Sequence, residues 1–173
     1  METRFKKQEL VLIQAILSGI MAALVAIGTF MVQIPNPPTR GYINFGDIMI
    51  FVSALTFGPI VGGLAGSFGS SIADIVSGYG HFAPFTFVIK GTEGVLAGLI
   101  SNKRNLYRDV LAVIVAGAEM ITGYFLAEFF PLLYGWAALT EVPGNISQIV
   151  VGGIIGVPIA VLIRKRLPEI LKS

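Results

Sequence analysis

The chain has 173 residues, of which 54% are hydrophobic and only 13% are charged, and its net charge at pH 7 is +2. Soluble domains carry about 25% charged residues, so this composition is typical of an integral membrane protein, and the small net charge disfavours a nucleic-acid partner. Because the chain has no cysteine and a single histidine, His81, we expect no disulfide framework, no metal site and no resident cofactor.

Apolar segments predict six membrane-spanning helices. A bilayer core about 30 Å thick needs roughly 20 helical residues, which places the helices at about 9–33, 45–58, 60–79, 84–101, 109–130 and 144–164. The first run is longer than a signal-peptide core and no A-x-A site follows it directly, so we interpret it as a helix of the protein. The breaks are rich in proline, glycine or polar residues: IPNPPTRG at 34–41, GP at 58–59, SNKRNLYR at 101–108 and EVPG at 141–144. We therefore predict a single all-α, membrane-embedded domain over residues 1–173.

The distribution of basic residues predicts the orientation. If the N-terminus is cytoplasmic, only Arg40 lies in an outer loop, whereas ten basic residues lie near the inner ends of the helices. These are Arg4, Lys6, Lys7, Lys103, Arg104, Arg108, Arg164, Lys165, Arg166 and Lys172. The positive-inside rule then places both termini in the cytoplasm, in agreement with an even number of spans.

Polar residues inside the apolar helices predict a pocket in the outer half of the membrane. Seven of them lie at similar heights on the second, third, fourth and sixth helices. They are Asn44, Asp47, Asp74, Lys90, Glu93, Asn145 and Gln148. An ionised side chain near the centre of a spanning helix costs about 2.5–3.5 kcal/mol, so such groups normally face a bundle interior or a wet cavity.

Simpler interpretations of the charged residues remain open at this point. Asp47 can be an anion favoured by the positive end of its helix dipole, and Asp74 can extend toward the outer surface. Lys90 and Glu93 are three residues apart on one helix, so they can neutralise each other without a ligand.

Aromatic residues complete the predicted pocket. An aromatic ligand needs apolar and aromatic walls with a few polar groups aimed at its edge. Phe85 and Tyr124 are candidates for such walls, together with Phe82, Phe87 and Trp136, while Lys90, Asn145 and Gln148 can supply the polar contacts.

Two stretches carry a family resemblance. The run INFGDIMIFVSALTFGPIVGGLAGSFGSSIADIVSGY followed by APFTFVIKGTEGVLAGLI closely resembles the S components of energy-coupling factor (ECF) vitamin transporters, and VPGNISQIVVGGIIG at 142–156 is similar to the sixth helix of their riboflavin-type branch. The resemblance covers residues 45–101 and 142–163. It implies a non-enzymatic protein of the cell membrane, without catalytic residues, that captures a vitamin at the outer face. Its implied partners are a transmembrane coupling subunit and two cytoplasmic ATPase subunits.

The resemblance also implies roles for particular residues. Asn145 and Gln148 match a polar pair that meets the polar edge of riboflavin, although the second position is often Lys in riboflavin-binding relatives. Loop 34–44 is similar to the one that closes over the ligand. Ala22 and Ala26 match the small-residue surface through which the first helix docks on the coupling subunit.

Three alternatives to riboflavin capture remain. The first is an S component for another vitamin or precursor, such as pyridoxine, thiamine or its hydroxymethylpyrimidine precursor, or pantothenate. The second is a homo-oligomeric channel or transporter, which requires polar residues along the whole membrane height, whereas the inner half of the third and sixth helices is apolar. The third is a hydrolase using Ser70 and His81, for which the sequence offers no orienting group or oxyanion hole.

Overall fold

The computed structural model describes residues 2–102 and 105–167. In chain order its elements are α1 (Glu2–Met31), β1 (Gln33–Asn36), β2 (Gly41–Asn44), α2 (Gly46–Phe57), α3 (Pro59–Val76), α4 (Ala83–Ile100), α5 (Leu106–Phe129), the 3₁₀-helix Gly135–Thr140 and α6 (Val142–Arg166). The six predicted helices are confirmed, and every boundary except the start of α1 lies within three residues of its prediction. The short antiparallel hairpin β1–β2 was not predicted, because the three prolines of segment 34–41 indicated a loop.

Among the residues described, five helices are long and apolar enough to cross a membrane, and α2 is a shorter apolar helix. The 12 residues of α2 extend about 18 Å. Ile50, Phe51 and Leu55 on this helix are fully buried. Helix α2 therefore lies inside the bundle, where protein rather than lipid surrounds it.

Local sequence explains where several helices begin. Gly58 separates α2 from α3 with a φ of 96°, a conformation that glycine adopts without steric cost. Proline occupies the first turn of α3, α4 and α6, where its missing N–H breaks no helical hydrogen bond. The Asn105 side chain caps α5 by accepting a hydrogen bond from the Tyr107 backbone N–H.

Glycines bring α3 and α4 into backbone contact. A Cβ atom on Gly94 would lie 2.2 Å from the Gly62 carbonyl oxygen, and one on Gly66 would lie 2.2 Å from the Lys90 carbonyl oxygen. The four-residue glycine spacing of α3 thus serves the close helix approach that such spacing favours in membranes. Gly69 approaches α1 in the same way, since its Cβ would lie 2.5 Å from the Ala22 carbonyl oxygen.

A buried ion pair joins the helices at the end of the bundle opposite the hairpin. Arg164 near the end of α6 forms an ion pair with Asp109 in the first turn of α5. The Ser101 hydroxyl at the end of α4 donates to Asp109 over 2.6 Å. The start of α1 and the end of α6 lie on this same side, which the basic residues identify as cytoplasmic. Of those residues, Lys103, Arg104 and Lys172 lie outside the described residues, as do the side chains of Arg4, Lys6 and Lys7.

Candidate ligand-binding site

A small cavity lies beneath the hairpin, where the outer ends of the helices converge. Its lining residues come from α1, β2, α3–α6 and the segments next to them. They are Thr29, Gly41, Tyr42, Asn44, Ser70, Asp74, Phe82, Thr86, Lys90, Tyr124, Glu128, Glu141, Asn145 and Gln148. The cavity volume is about 30 Å³, enough for a few water molecules, so a vitamin-sized ligand requires the hairpin or side chains to move.

A buried charge triad forms the floor of this cavity. The Lys90 ammonium on α4 forms an ion pair with Asp47 on α2 and lies 3.1 Å from Glu93 Oε2, one turn further along α4. All three side chains are at most 3% exposed. Lys90 Nζ also lies 5.7 Å from the centroid of the Tyr124 ring, within the range of a cation–π contact. Asp47 and Glu93 therefore hold the lysine from below, while Lys90 itself reaches the cavity.

Side-chain hydrogen bonds hold the hairpin over the cavity. The Tyr42 hydroxyl donates to Asp74 Oδ1 on α3 over 2.6 Å, and the Tyr42 ring lies 4.4 Å from that of Tyr79. Burial, and after it the neighbouring Asp74 carboxylate, raises the pKa of the Tyr42 hydroxyl, so this hydroxyl stays protonated and keeps its donor role. At the other side of the hairpin the Thr39 hydroxyl donates to Glu141.

The polar pair on α6 is also tied to the hairpin. Gln148 Nε2 donates to Asn145 Oδ1 over 2.8 Å, and Gln148 Oε1 accepts a hydrogen bond from the Asn44 backbone N–H over 3.1 Å. Glutamine can do both because its amide is donor and acceptor at once, whereas a lysine has no acceptor. Gln148 thus connects α6 to β2.

The structure brings most of the predicted site residues together. Six of the nine line the cavity: Asn44, Asp74, Lys90, Tyr124, Asn145 and Gln148. Asp47 and Glu93 lie beneath it as partners of Lys90. Phe85 does not line it, because the rotation of α4 packs this ring against the apolar core, and Phe82 faces the cavity instead. Phe87 and Trp136 are exposed on the outside of the bundle.

Sequence reasoning missed several lining residues. Glu128 and Glu141 are 2% and 4% exposed and close enough to interact electrostatically. Both are acids at the outer ends of apolar segments, which is the signal that identified Asp74. Tyr42 carried no signal of its own, since only the hairpin brings it over Asp74.

The predicted docking residues lie on α1. Ala22 and Ala26 are both half-buried, and Ala22 faces Gly69 of α3. Part of the small-residue surface is thus used for packing inside the chain. The role of these two alanines in docking stays a prediction.

Comparison with known proteins finds a solved structure and curated proteins that are similar to this chain. A solved S component of a bacterial ECF transporter has the same fold, with a TM-score of 0.61 and 21% identity over 92% of this chain and 98% of that one. A protein of Pyrococcus woesei, described as an uncharacterized protein in gap 3'region, is 44% identical over 86% of this chain and 99% of its own length. The thiamine precursor transporter HmpT of Lactococcus lactis subsp. cremoris is 28% identical over 86% of each protein.

A family model agrees with these relatives. The model described as ECF-type riboflavin transporter, S component, matches residues 10–165, which is most of the chain. The family is that of a transporter component located in the membrane, in keeping with the apolar helices. The chain is a multi-pass protein of the cell membrane and belongs to the ECF-type riboflavin transporter S component family.

Proposed function

We propose that this chain captures a vitamin or vitamin precursor from outside the cell in the cavity beneath the hairpin. The observation that carries the proposal is a buried polar cavity restricted to one end of an otherwise apolar bundle. Riboflavin is the substrate predicted from the sequence and named in the family description. A thiamine precursor is the second candidate, because it is the substrate named for the Lactococcus relative.

The interior below the charge triad supports capture rather than a channel. A core of buried apolar side chains fills that region, including Phe51, Leu55, Ala112 and Val157. A water-filled pore would need polar lining there, because ions and polar solutes are costly to transfer into an apolar environment. Release to the cytoplasm therefore requires a conformational change, which the implied coupling subunit and ATPases would drive.

Ligand screening tests the capture proposal. The purified chain is titrated with riboflavin, a hydroxymethylpyrimidine thiamine precursor, thiamine, pyridoxine and pantothenate, with thermal stability and Trp136 fluorescence as readouts. We expect at least one of these to bind with a Kd below about 1 μM, equivalent to about 8 kcal/mol. If none binds below that level, vitamin capture by this chain is contradicted.

Truncating Asn145 is expected to weaken that binding. Asn145 lies in the cavity wall and is 4% exposed. Asn145→Ala therefore removes a polar group buried with the ligand and makes the free energy of binding less favourable by about 1–3 kcal/mol. Ser147→Ala on the same helix is the matched control, since Ser147 is exposed and donates only to the Gly144 carbonyl. Equal Kd values for the two variants would show that the Asn145 side chain does not contribute to ligand binding.

Helix α1 is the proposed docking surface for the coupling subunit. Only 17% of its central membrane segment is buried, against 33% or more for each of the other long helices. We expect Ala22→Leu and Ala26→Leu to retain ligand binding by the isolated chain and to abolish uptake by the assembled transporter, because a larger side chain prevents close helix approach. Ala118→Leu, at an exposed position on α5, is the control. Normal uptake in both α1 variants would contradict the assignment.

A further inference from the structure

The cavity wall contains more acidic than basic side chains. Asp74, Glu128 and Glu141 all line it, and Lys90 is the single lysine or arginine among its lining residues. The Lys90 charge is already shared between Asp47 and Glu93 below the cavity. Within residues 2–102 and 105–167, none of the three carboxyl groups of the wall forms an ion pair.

Two of these carboxyl groups each have an oxygen atom without a partner. Tyr42 occupies Asp74 Oδ1, and the Thr86 side chain also interacts with this carboxyl group. By hydrogen-bond geometry, Asp74 Oδ2 and Glu128 Oε2 have no partner in the described part of the chain. Asp74 is 4% and Glu128 2% exposed. Asp47, Glu93 and Glu119 also have carboxyl oxygens without a hydrogen-bond partner, but these residues do not line the cavity. Because buried polar atoms are almost always paired in folded proteins, the unpaired oxygens of Asp74 and Glu128 are the ones that a ligand in the cavity can pair.

Aromatic rings line the same cavity. Tyr42, Phe82 and Tyr124 come from the hairpin, the start of α4 and α5. The face of an aromatic ring is negative and attracts a cation, most strongly where water is excluded. Carboxylates and ring faces around one cavity are thus complementary to a flat, positively charged ligand.

We propose that the ligand captured here is a positively charged nitrogen heterocycle, held between the carboxyl groups of Asp74 and Glu128 and the neighbouring aromatic rings. This inference rests on the proposed capture function and narrows its substrate class. A neutral flavin brings no charge to offset the carboxyl groups. An anion such as pantothenate is disfavoured, because like charges repel strongly in a desolvated site.

The test measures binding of four probes to the purified full-length chain. Thiamine carries a permanent positive charge, 4-amino-5-hydroxymethyl-2-methylpyrimidine can be protonated, riboflavin is neutral and pantothenate is an anion. Thiamine or the aminopyrimidine is expected to bind at least about 30-fold more tightly than riboflavin, and pantothenate most weakly. Tighter binding of riboflavin than of both thiamine and the aminopyrimidine would overturn the inference and leave the capture function in place. Binding of none of the four would overturn the inference, and the capture function falls as well if pyridoxine also fails to bind.

Two isosteric variants test the carboxyl groups directly. Glu128→Gln and Asp74→Asn each replace an ionisable carboxyl group with a neutral amide of nearly the same shape. Each is expected to weaken binding of the cationic probe by about 30-fold and to leave any riboflavin binding within about threefold. Glu119→Gln is the matched control, because Glu119 is a half-buried acid on α5 outside the cavity lining.

Thermal unfolding separates loss of binding from loss of folding. If one of the two variants does not fold, the other variant and the ranking of the probes on the unmodified chain still test the proposed ligand class. Unchanged affinity for the cation in a folded Glu128→Gln and a folded Asp74→Asn would contradict the assigned contacts.

Discussion

Lys90→Met is expected to lower the free energy of unfolding by about 3–5 kcal/mol, because it leaves two buried carboxylates without their cation. Asp47 and Glu93 are 1% and 0% exposed, so water cannot replace the ammonium. The two carboxylates also repel each other once Lys90 is gone. The measurement is unfolding of the purified protein in one detergent, followed by heat and by denaturant.

A compensated variant separates the charge effect from the loss of the lysine side chain. Asp47→Asn and Glu93→Gln combined with Lys90→Met remove all three charges and are expected to recover most of the lost stability, since neutral isosteres in place of a buried ion pair are often tolerated. Single-variant stability equal to that of the unmodified protein would show that the triad is not needed for folding.

Gly94→Ala is expected to cost about 3 kcal/mol of stability or more, because the added methyl group meets backbone rather than a movable side chain. Its Cβ would lie 2.2 Å from the Gly62 carbonyl oxygen, 2.4 Å from the Gly62 carbonyl carbon and 2.8 Å from the Gly63 nitrogen. Helices α3 and α4 must therefore separate. Lys90 lies one turn before Gly94, so ligand affinity should fall with stability.

Gly19→Ala in α1 is the matched control for this effect. A Cβ on Gly19 meets no atom within 4 Å, and alanine is favoured over glycine within a helix by about 0.5–1 kcal/mol. We expect this variant to be as stable as the unmodified protein or slightly more so. Equal unfolding temperatures for the Gly94 and Gly19 variants would contradict the close approach of α3 and α4.

The candidate site could be predicted only in part. Hydropathy and depth along each helix identified Asp74, Lys90 and Asn145, because an ionised or amide group in an apolar helix is costly wherever the helix faces lipid. Phe82 and Phe85 were both predicted as walls of the pocket, since both lie near the start of α4, but only Phe82 lines the cavity. The rotation of α4 about its own axis decides which of the two rings faces the cavity. An almost uniformly apolar sequence carries little information about that rotation.

Local hydropathy, helix breakers and spacing along the chain were enough to predict the six helices, their order, the glycine spacing of α3 and the outer position of the polar residues. The folded chain was needed to see that Asp47 pairs with Lys90, that Tyr42 covers Asp74, and that Glu128 and Glu141 share the cavity wall. Thr39 and Glu141, for example, are 102 residues apart. Such contacts depend on how whole helices rotate and pack against one another, and no local pattern in the chain encodes that arrangement.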